Sequence, residues 1–411
     1  MIKRSTKFTA LVVSAMVACS LVAGCGKKQE KPTPENSGGT KETVALKVWG
    51  SQEDQSMLSL MIEEFKAANT DKKYDISLGV VGEADAKTKY LEDPAAAADV
   101  FAFANDQLYD LVNAGGLYEV TRNKDEIIKA NSPGSIEAAT ANDKLYAYPM
   151  TADNGYFMYY DKSVISEKDA ESLDSILGAA DKSGKKVFMD VSNGWYIASF
   201  FLGAGCKLEV KDGKQLCDFN SETGVKVGES IKGFTAHNAF ITGDDAVLTG
   251  GFGDNIVAGI SGTWNADAIK EKLGENFAAT KLPTFTVDSK QVQMGSFAGY
   301  KLVGVNSQTK NPVDAMNLAE WLTNEKSQAK RFAERAMGPS NIKVGESDEV
   351  KANLPLAALA LQSQFATSQK DVLGAYWSPA EAFGTAMEAK DYSKSIKDQL
   401  DAMVEQIEAG Q

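Results

Sequence analysis

The segment DVFAFANDQLYDLVNAGGLYEVT, residues 99–121, decides the fold class. It opens with a short apolar run that has the length of a buried strand and that runs directly into polar residues at 105–107. A short helical pattern follows and ends at Gly115 and Gly116, which favour the conformation of a helix C-terminus. A buried strand that leads into a helix is typical of a parallel sheet covered by helices.

The flanking sequence repeats the same alternation. Upstream, VALKVWG (44–50) predicts a strand, an amphipathic helix follows, and YDISLGVV (74–81) predicts another strand. Downstream, KLYAYPM (144–150) and GYFMYYDK (155–162) predict strands separated by TADN, and the last hundred residues are mostly helical. The chain has 411 residues, which is enough for two domains with separate cores, and its pattern predicts an α/β fold.

The N-terminus has the pattern of an export signal. Lys3, Arg4 and Lys7 precede an apolar stretch at 8–23 that is short and rich in small residues, so residues 1–24 are predicted to be a signal peptide. The small residues before Cys25 resemble a bacterial lipobox, in which Cys25 would carry lipid. The alternative is an ordinary signal peptide with an incidental cysteine.

A polar segment follows the cysteine. Residues 25–43 are rich in charge, Pro, Ser and Gly, and they cannot bury enough apolar surface to fold. They are predicted to be a flexible tether that holds a folded domain away from a membrane. The expected location is the extracellular face of the cell membrane.

Composition excludes several functions. The formal net charge is −13, which argues against nucleic-acid binding because that needs a basic surface. The only histidine, His237, leaves few routes to an imidazole metal site or a histidine-activated nucleophile, and no metal or other cofactor is predicted.

Two further cysteines flank a predicted hairpin. Cys206 and Cys217 bracket two short strands around an Asp212–Gly213 turn and could face each other. A structural disulfide is plausible outside the cell. The alternative is a pair of free thiols.

Polar and aromatic residues follow the predicted strands. Ligands bind at the carboxyl ends of strands in open parallel sheets, so these positions are candidate binding residues. Amide and carboxylate groups pair with hydroxyls, and flat rings cover the C–H faces of a pyranose, so this combination suits a sugar. The residues are Gln52, Glu53, Asp54, Asn105, Asp106, Gln107, Asp153, Asn193, Trp195, Tyr196 and Trp264.

Across nearly its whole length from Val44, the chain resembles the extracellular solute-binding proteins of ABC importers, in particular the maltose/maltodextrin-binding type. The order and spacing of several segments carry the resemblance. They are DVFAFANDQLYDLVNAGGLYEVT, NDKLYAYPMTADNGYFMYYDK, ISGTW, LPTF, GSFAGYKLVGVN, NPVDAMNLAEWLTNEKSQAKRF and GPSN. Lipid tethering of such proteins is a Gram-positive trait, so the resemblance implies a Gram-positive source.

The resemblance implies a monomer with two lobes, each a mainly parallel sheet flanked by helices, that close on a ligand about a hinge. It places crossovers near 151–153, near 299–302 and around 350. The N-terminal lobe would then comprise 44–151 and 303–350, and the C-terminal lobe 152–302 and 351–411.

The resemblance also implies residue roles. Asp106 matches a hydroxyl-binding acid and Asp153 matches an acid at the first hinge. Aromatic platforms are matched by Phe103, by Trp195, by Trp264 and by the pair Tyr376 and Trp377. Three positions depart from the maltose binder. The chain has Glu53-Asp54 where that protein pairs an acid with a lysine, and it has Gln107 and Glu381 where that protein has arginines.

The expected function is capture of malto-oligosaccharides and their delivery to the membrane permease of an ABC importer, without catalysis. Alternative ligands are a galactose-containing or β-linked oligosaccharide and a non-sugar solute. An alternative role is that of a sugar-binding lipoprotein that serves sensing or adhesion. Another is a glycoside hydrolase using Asp106 and Asp153, which would need a defined carboxylate separation.

Overall fold

The computed structural model describes residues 41–211 and 214–410. The predicted signal peptide, Cys25 and nearly all of the tether lie outside the described residues, as does the Asp212–Gly213 turn. Lys41–Gln411 forms one compact unit. Within the described ranges, no helix has the length and apolar character needed to cross a membrane.

Short strands and helices alternate along the chain. The strands are β1 Thr43–Gly50, β2 Lys73–Val80, β3 Val100–Ala104, β4 Thr140–Ala141, β5 Lys144–Leu145, β6 Ala147–Gly155, β7 Phe157–Asp161, β8 Lys186–Phe188, β9 Leu208–Lys211, β10 Lys214–Cys217, β11 Phe240–Ile241, β12 Ile256–Ser261, β13 Phe277–Thr280, β14 Thr284–Val287, β15 Lys290–Gln293, β16 Ser296–Val305 and β17 Ala366–Ser368.

The helices cover the sheets and dominate the C-terminal part, as predicted. They are α1 Gln55–Ala68, α2 Ala86–Glu92, α3 Leu108–Asn113, α4 Lys124–Ala130, α5 Pro133–Ala138, α6 Leu173–Ser183, α7 Gly194–Gly203, α8 Glu222–Ala236, α9 Asp245–Gly251, α10 Ala266–Leu273, α11 Pro312–Thr323, α12 Glu325–Arg335, α13 Ile342–Gly345, α14 Asp348–Lys351, α15 Leu354–Ser363, α16 Trp377–Glu388 and α17 Ile396–Ala409.

The first sheet has the order β17-β16-β3-β1-β2, with β6 also paired to β16. β1 runs parallel to β2 and β3, whereas β16 runs antiparallel to β3 and β6. β3 is buried at every position because helices cover both faces of this central strand. One core cluster, which includes Phe65, Phe101 and Leu318, holds this lobe together.

The second sheet has the order β11-β8-β12-β7-β13. β8 is parallel to β11 and β12, but β7 is antiparallel to both of its neighbours, so the sheet is mixed. Separate core clusters, which include Phe200, Phe234 and Phe252, hold this second lobe together. Two sheets with separate cores give the two-lobed architecture.

Paired strands connect the lobes. β6 and β16 lie side by side from Ala147 opposite Gly304 to Gly155 opposite Ala298, with register shifts near Lys301. The prediction that TADN forms a loop between strands is wrong, because this pairing extends β6 through it to Gly155. β6 then continues into β7 of the second sheet after Tyr156 alone.

The cysteines are free thiols. In the β9–β10 pair Cys217 lies opposite Leu208, so Cys206 is diagonal to Cys217 instead of directly opposite. Both are buried and unbridged, which corrects the expected disulfide in favour of the free-thiol alternative. Burial raises the pKa of Cys206 to about 11 and that of Cys217 to about 12, so both stay protonated at neutral pH.

Candidate functional site

The candidate site lies where loops of the two lobes meet. In the first lobe these loops follow β1 and β3, and in the second lobe they follow β8 and β12. Carboxyl ends of strands therefore form both sides of the site, as the sequence predicts for an open sheet.

Trp195 is the second residue of α7, which follows the β8 loop. Asn193 caps this helix, its Oδ1 accepting a hydrogen bond from the Trp195 backbone N–H at 2.9 Å, which fixes where the indole leaves the helix. The ring is half-buried and packs edge-on against Tyr156, with centroids 4.5 Å apart. One face of the indole is thus supported from behind by the second-lobe core.

Trp264 follows β12 in a short 3-10 turn and is also half-buried. Its ring centroid is 5.9 Å from that of Trp195, and its Nε1 donates to Asp245 Oδ2 at 3.0 Å. The ring folds back over Gly262, where a Cβ atom would approach the indole to 1.9 Å, so this conformation requires glycine. Trp195 and Trp264 together form a two-ring wall.

Tyr376 and Trp377, predicted together as the third aromatic platform, have different surroundings. Trp377 is half-buried and packs on Phe297 and Tyr376, with centroids 5.9 and 5.1 Å away. Tyr376 is fully buried in the second-lobe core, and its hydroxyl donates to the Gly194 carbonyl at 2.9 Å. Tyr376 therefore supports the start of α7, and the prediction that it offers a surface to a ligand is wrong.

Asp106 is linked to Trp195 through a residue that sequence reasoning missed. Gln369 Nε2 donates to Asp106 Oδ1 at 2.8 Å, and Gln369 Oε1 accepts from Trp195 Nε1 at 2.9 Å. The glutamine is buried in a short turn after β17. Burial raises the pKa of Asp106 to about 6, so this carboxyl titrates near neutrality.

Asp153 occupies the connecting strand β6. Its Oδ2 accepts from Thr263 Oγ1 of the second lobe at 3.0 Å and from the Gly338 N–H of the first lobe at 2.6 Å. The side chain is buried, and its other oxygen, Oδ1, has no hydrogen-bond partner among the described residues. Asp153 thus couples both lobes and keeps one acceptor unused.

A cation absent from the predicted set stands nearby. Lys301 on β16 places its Nζ 4.0 Å from Glu83 Oε2 and 5.8 Å from the Trp264 ring centroid. Glu83 comes two residues after the predicted strand at 74–81, the same kind of position as the other polar candidates, so the sequence could have pointed to it. Lys301 lies inside a strand, β16, so a search for polar residues after strands does not reach it.

Other predicted residues take supporting or peripheral places. Asp54 is buried in an ion pair with Arg331, at 3.3 Å, so it is committed within the first lobe. Phe103 has no exposed surface because it packs on Phe101 and against Gly304, so its predicted stacking role is wrong. Tyr196 is also largely buried.

The remaining predicted polar residues divide between the rim and the interior. Gln52 and Glu53 are exposed at the end of β1, where Arg335 donates to the Glu53 carbonyl. Asn105 is buried, and its Oδ1 accepts from the Tyr300 N–H at 2.9 Å. Gln107 has a structural role, because its Nε2 donates hydrogen bonds to the Glu83 and Ala84 carbonyls of the neighbouring loop.

No group of three or more His, Cys, Asp or Glu side chains in the described residues could hold a metal ion. His237 accepts a hydrogen bond from the Ala239 N–H through Nδ1, which is a local structural contact at the end of α8.

Comparisons with known proteins agree with this architecture. A family model for bacterial extracellular solute-binding proteins matches residues 61–358. A galactooligosaccharide-binding protein of Bacillus subtilis (strain 168) is 27% identical over 420 residues, covering 97% of this chain and 96% of that protein.

Two solved structures extend the comparison. One, determined with acarbose, is 31% identical with a TM-score of 0.82 and covers 90% of this chain and 99% of its own. The maltodextrin-binding protein MalE1 from L. casei BL23, solved without ligand, is 25% identical with a TM-score of 0.74. The match to MalE1 covers 89% of this chain and 99% of that one.

Proposed function

The chain belongs to the bacterial extracellular solute-binding proteins, and we propose that it captures a neutral oligosaccharide between its two lobes for delivery to an ABC-type permease. Proteins of this family bind solutes and are not enzymes, which removes the hydrolase alternative. Hinged closure of two lobes on a ligand is a recognised mode of capture.

The observation that carries this proposal is the wall formed by Trp195 and Trp264 beside buried polar groups. The two half-buried indoles, whose ring centroids are 5.9 Å apart, offer flat apolar faces to successive sugar rings. Asp106 and Asp153 supply carboxylate acceptors for hydroxyls at the same interlobe boundary. An aromatic wall with a few fixed polar groups is the usual composition of a small-ligand site.

We favour malto-oligosaccharides as the ligand. The support is the similarity to a protein that binds maltodextrin and to a structure determined with acarbose, together with the aromatic wall. Trp377 would extend the platform, and Gln52 and Glu53 would line its rim.

A galactooligosaccharide is the second candidate. The Bacillus subtilis relative of that specificity matches nearly the whole chain. The departures at Glu53-Asp54, Gln107 and Glu381 also separate this chain from the maltose-binding pattern. Sugars of both kinds share equatorial hydroxyls and apolar faces, so the platform itself accommodates either.

The cellular setting belongs to the same proposal. Cys25 would carry lipid and residues 25–43 would tether the monomeric receptor at the extracellular membrane surface, within reach of the permease. The support is the lipobox-like sequence and the family's extracellular character.

Titration calorimetry on residues 40–411 tests ligand capture. The panel contains maltose, maltotriose, maltotetraose and acarbose, with β-1,4-galactotriose and raffinose as alternatives. We expect a dissociation constant of micromolar order, about −8 kcal/mol, for one class and no shortened products. Binding of the galactosides alone would replace the malto-oligosaccharide assignment, and absence of binding throughout would reject oligosaccharide capture.

A further inference from the structure

Unpartnered polar atoms gather at one place in the first lobe. Nine buried side-chain atoms have no hydrogen-bond partner among the described residues, and four of the nine belong to residues on or beside the strands around Lys301. These four are Glu83 Oε1, Asn105 Nδ2, Thr151 Oγ1 and Asp153 Oδ1. Buried polar groups in folded proteins are normally satisfied, so a cluster of exceptions calls for a missing partner. Both donors and acceptors are present in the cluster.

Strand register brings these residues to Lys301. On β16, Lys301 lies opposite Thr151 of β6 and opposite Ala104 of β3, the residue before Asn105. Thr151 and Asp153 are two positions apart on β6, so their side chains point to the same side of the strand.

Glu83 is held in place by its backbone. Its carbonyl accepts from the Ala104 N–H at 3.2 Å and from Gln107 Nε2 at 2.7 Å. Because the backbone carbonyl makes these structural hydrogen bonds, the Glu83 carboxylate is not needed to hold the loop. Its closest cation is the Lys301 ammonium, 4.0 Å away. That separation is too long for a direct hydrogen bond.

Lys301 keeps its charge although it is enclosed. Burial alone lowers its pKa, but the carboxylates of Glu83, Asp153 and Asp54 outweigh this effect and the pKa is raised. The side chain is 15% exposed, and the ammonium makes no hydrogen bond within the described part of the chain. The ammonium lies within cation–π distance of the Trp264 ring, 5.8 Å from its centroid, and its N–H donors remain available to a ligand beside that ring.

The charges around Lys301 are close to balanced. Asp54, Glu83 and Asp153 face Lys301, with Arg331 and Arg335 on the far side of Asp54. A charged ligand would itself be buried without a compensating charge, whereas hydroxyls can both donate to the carboxylates and accept from the ammonium. The ligand class that fits is a neutral polyol.

We propose that Lys301 and Glu83, with Asn105 and Asp153, form the hydroxyl-binding half of a sugar subsite whose other half is the Trp264 ring. One pyranose stacks on Trp264, and its hydroxyls accept from Lys301 and Asn105 and donate to Glu83 and Asp153. This assignment rests on the proposed oligosaccharide capture and adds Lys301 and Glu83 as specificity-determining residues.

Matched variants of the full chain test the subsite. Lys301→Met removes the ammonium at similar length, and Glu83→Gln replaces one acceptor by a donor with the same shape. Lys72→Met is the control, because Lys72 is a half-buried lysine paired with Asp314 at 2.9 Å in another part of the first lobe. Thermal unfolding of each variant verifies folding, and Lys301→Gln, which also removes the charge, serves if Lys301→Met does not fold.

The probes are maltotriose, acarbose and β-1,4-galactotriose. For the probe that wild type binds, we expect Lys301→Met and Glu83→Gln to weaken affinity about ten- to a hundredfold, since a charged hydrogen bond is lost. Lys72→Met should change affinity less than about twofold. Monodeoxy analogues of that probe should identify one hydroxyl whose removal weakens wild type but not Lys301→Met.

Three results would overturn the subsite. If Lys301→Met and Glu83→Gln both bind the probe with wild-type affinity, the subsite is rejected, but the proposal of oligosaccharide capture is unaffected. Tighter binding by Lys301→Met assigns Lys301 to holding the empty lobes together instead. If wild type binds no probe, oligosaccharide capture fails and the subsite fails with it.

Discussion

Two buried cation–carboxylate pairs in the first lobe differ in how completely they are closed. Arg331 and Asp54 are 3.3 Å apart, with side chains only 2% and 4% exposed. Lys301 and Glu83 are 4.0 Å apart, with side chains 15% and 10% exposed. The first pair is sealed inside one lobe, whereas the second faces the other lobe across the candidate site.

The difference indicates different roles for the same residue types. A pair enclosed within one lobe cannot reach a ligand, and breaking it leaves a buried charge uncompensated. A pair left short of hydrogen-bonding distance, beside other unpartnered groups, retains capacity for a ligand. We therefore expect the first pair to control stability and the second to control affinity.

The largest effect should come from Arg331→Met. Removing the guanidinium leaves Asp54 buried without its cation, which costs about 3–5 kcal/mol of the free energy of unfolding. Urea denaturation followed by circular dichroism measures this loss. Lys301→Met should lower stability far less, and equal losses in the two variants would erase the distinction between the pairs.

Asp106 has an amide as its hydrogen-bond partner instead of a cation, so it should make the free energy of unfolding depend on pH. Burial raises the pKa of Asp106 from 3.8 to about 6, so the folded state binds this proton more tightly than the unfolded state. Its stabilising contribution is complete below about pH 4 and is lost as the pH rises through 6.

Wild type should therefore lose up to about 3 kcal/mol relative to Asp106→Asn between pH 4 and pH 7. Denaturation midpoints of both proteins across this range provide the measurement. Parallel pH profiles would show that Asp106 is ionised at its ordinary pKa.

The tryptophans of the candidate site can be compared in the same way with a tryptophan of the first-lobe core. Trp195→Ala and Trp264→Ala should each weaken sugar binding by about 1–3 kcal/mol in calorimetry while the protein stays folded. Trp321 is equally half-buried, but its Nε1 donates to the Met61 carbonyl at 3.1 Å within the first lobe. Trp321→Ala should lower stability without changing affinity, and a reversed pattern would contradict the assignment of the wall.

The smallest effect should come from Gln369→Leu. This change removes the amide that joins Asp106 to Trp195, and a hydrogen bond to a charged carboxylate contributes about 1.5–3 kcal/mol to the free energy of unfolding. We expect an affinity change of about tenfold or less, because both groups would turn to the ligand or to water. Calorimetry at pH 7 measures it, and a loss as large as that of Trp195→Ala would make Gln369 a direct ligand contact.

The two-lobed α/β fold was accessible from sequence, whereas several binding assignments were not. Trp195 and Trp264 were identifiable because each comes within a few residues after a strand whose carboxyl end opens on the site. Phe103 was assigned by the family resemblance alone, and it belongs to a central strand buried on both faces, where an aromatic side chain points into a core.

The local sequence pattern by itself determined most of the helices and strands of this protein, and it carried the family resemblance. Apolar periodicity and the glycines that end helices depend on only a few neighbouring residues, so they can be recognised in the sequence. Tertiary structure alone decided which polar groups meet. Gln369 contacts Asp106 across 263 positions, and Lys301 reaches Glu83 only through the pairing of β16 with β3 and β6. Hydrogen-bond partners so distant along the chain depend on how the strands cross between lobes, which periodicity does not encode.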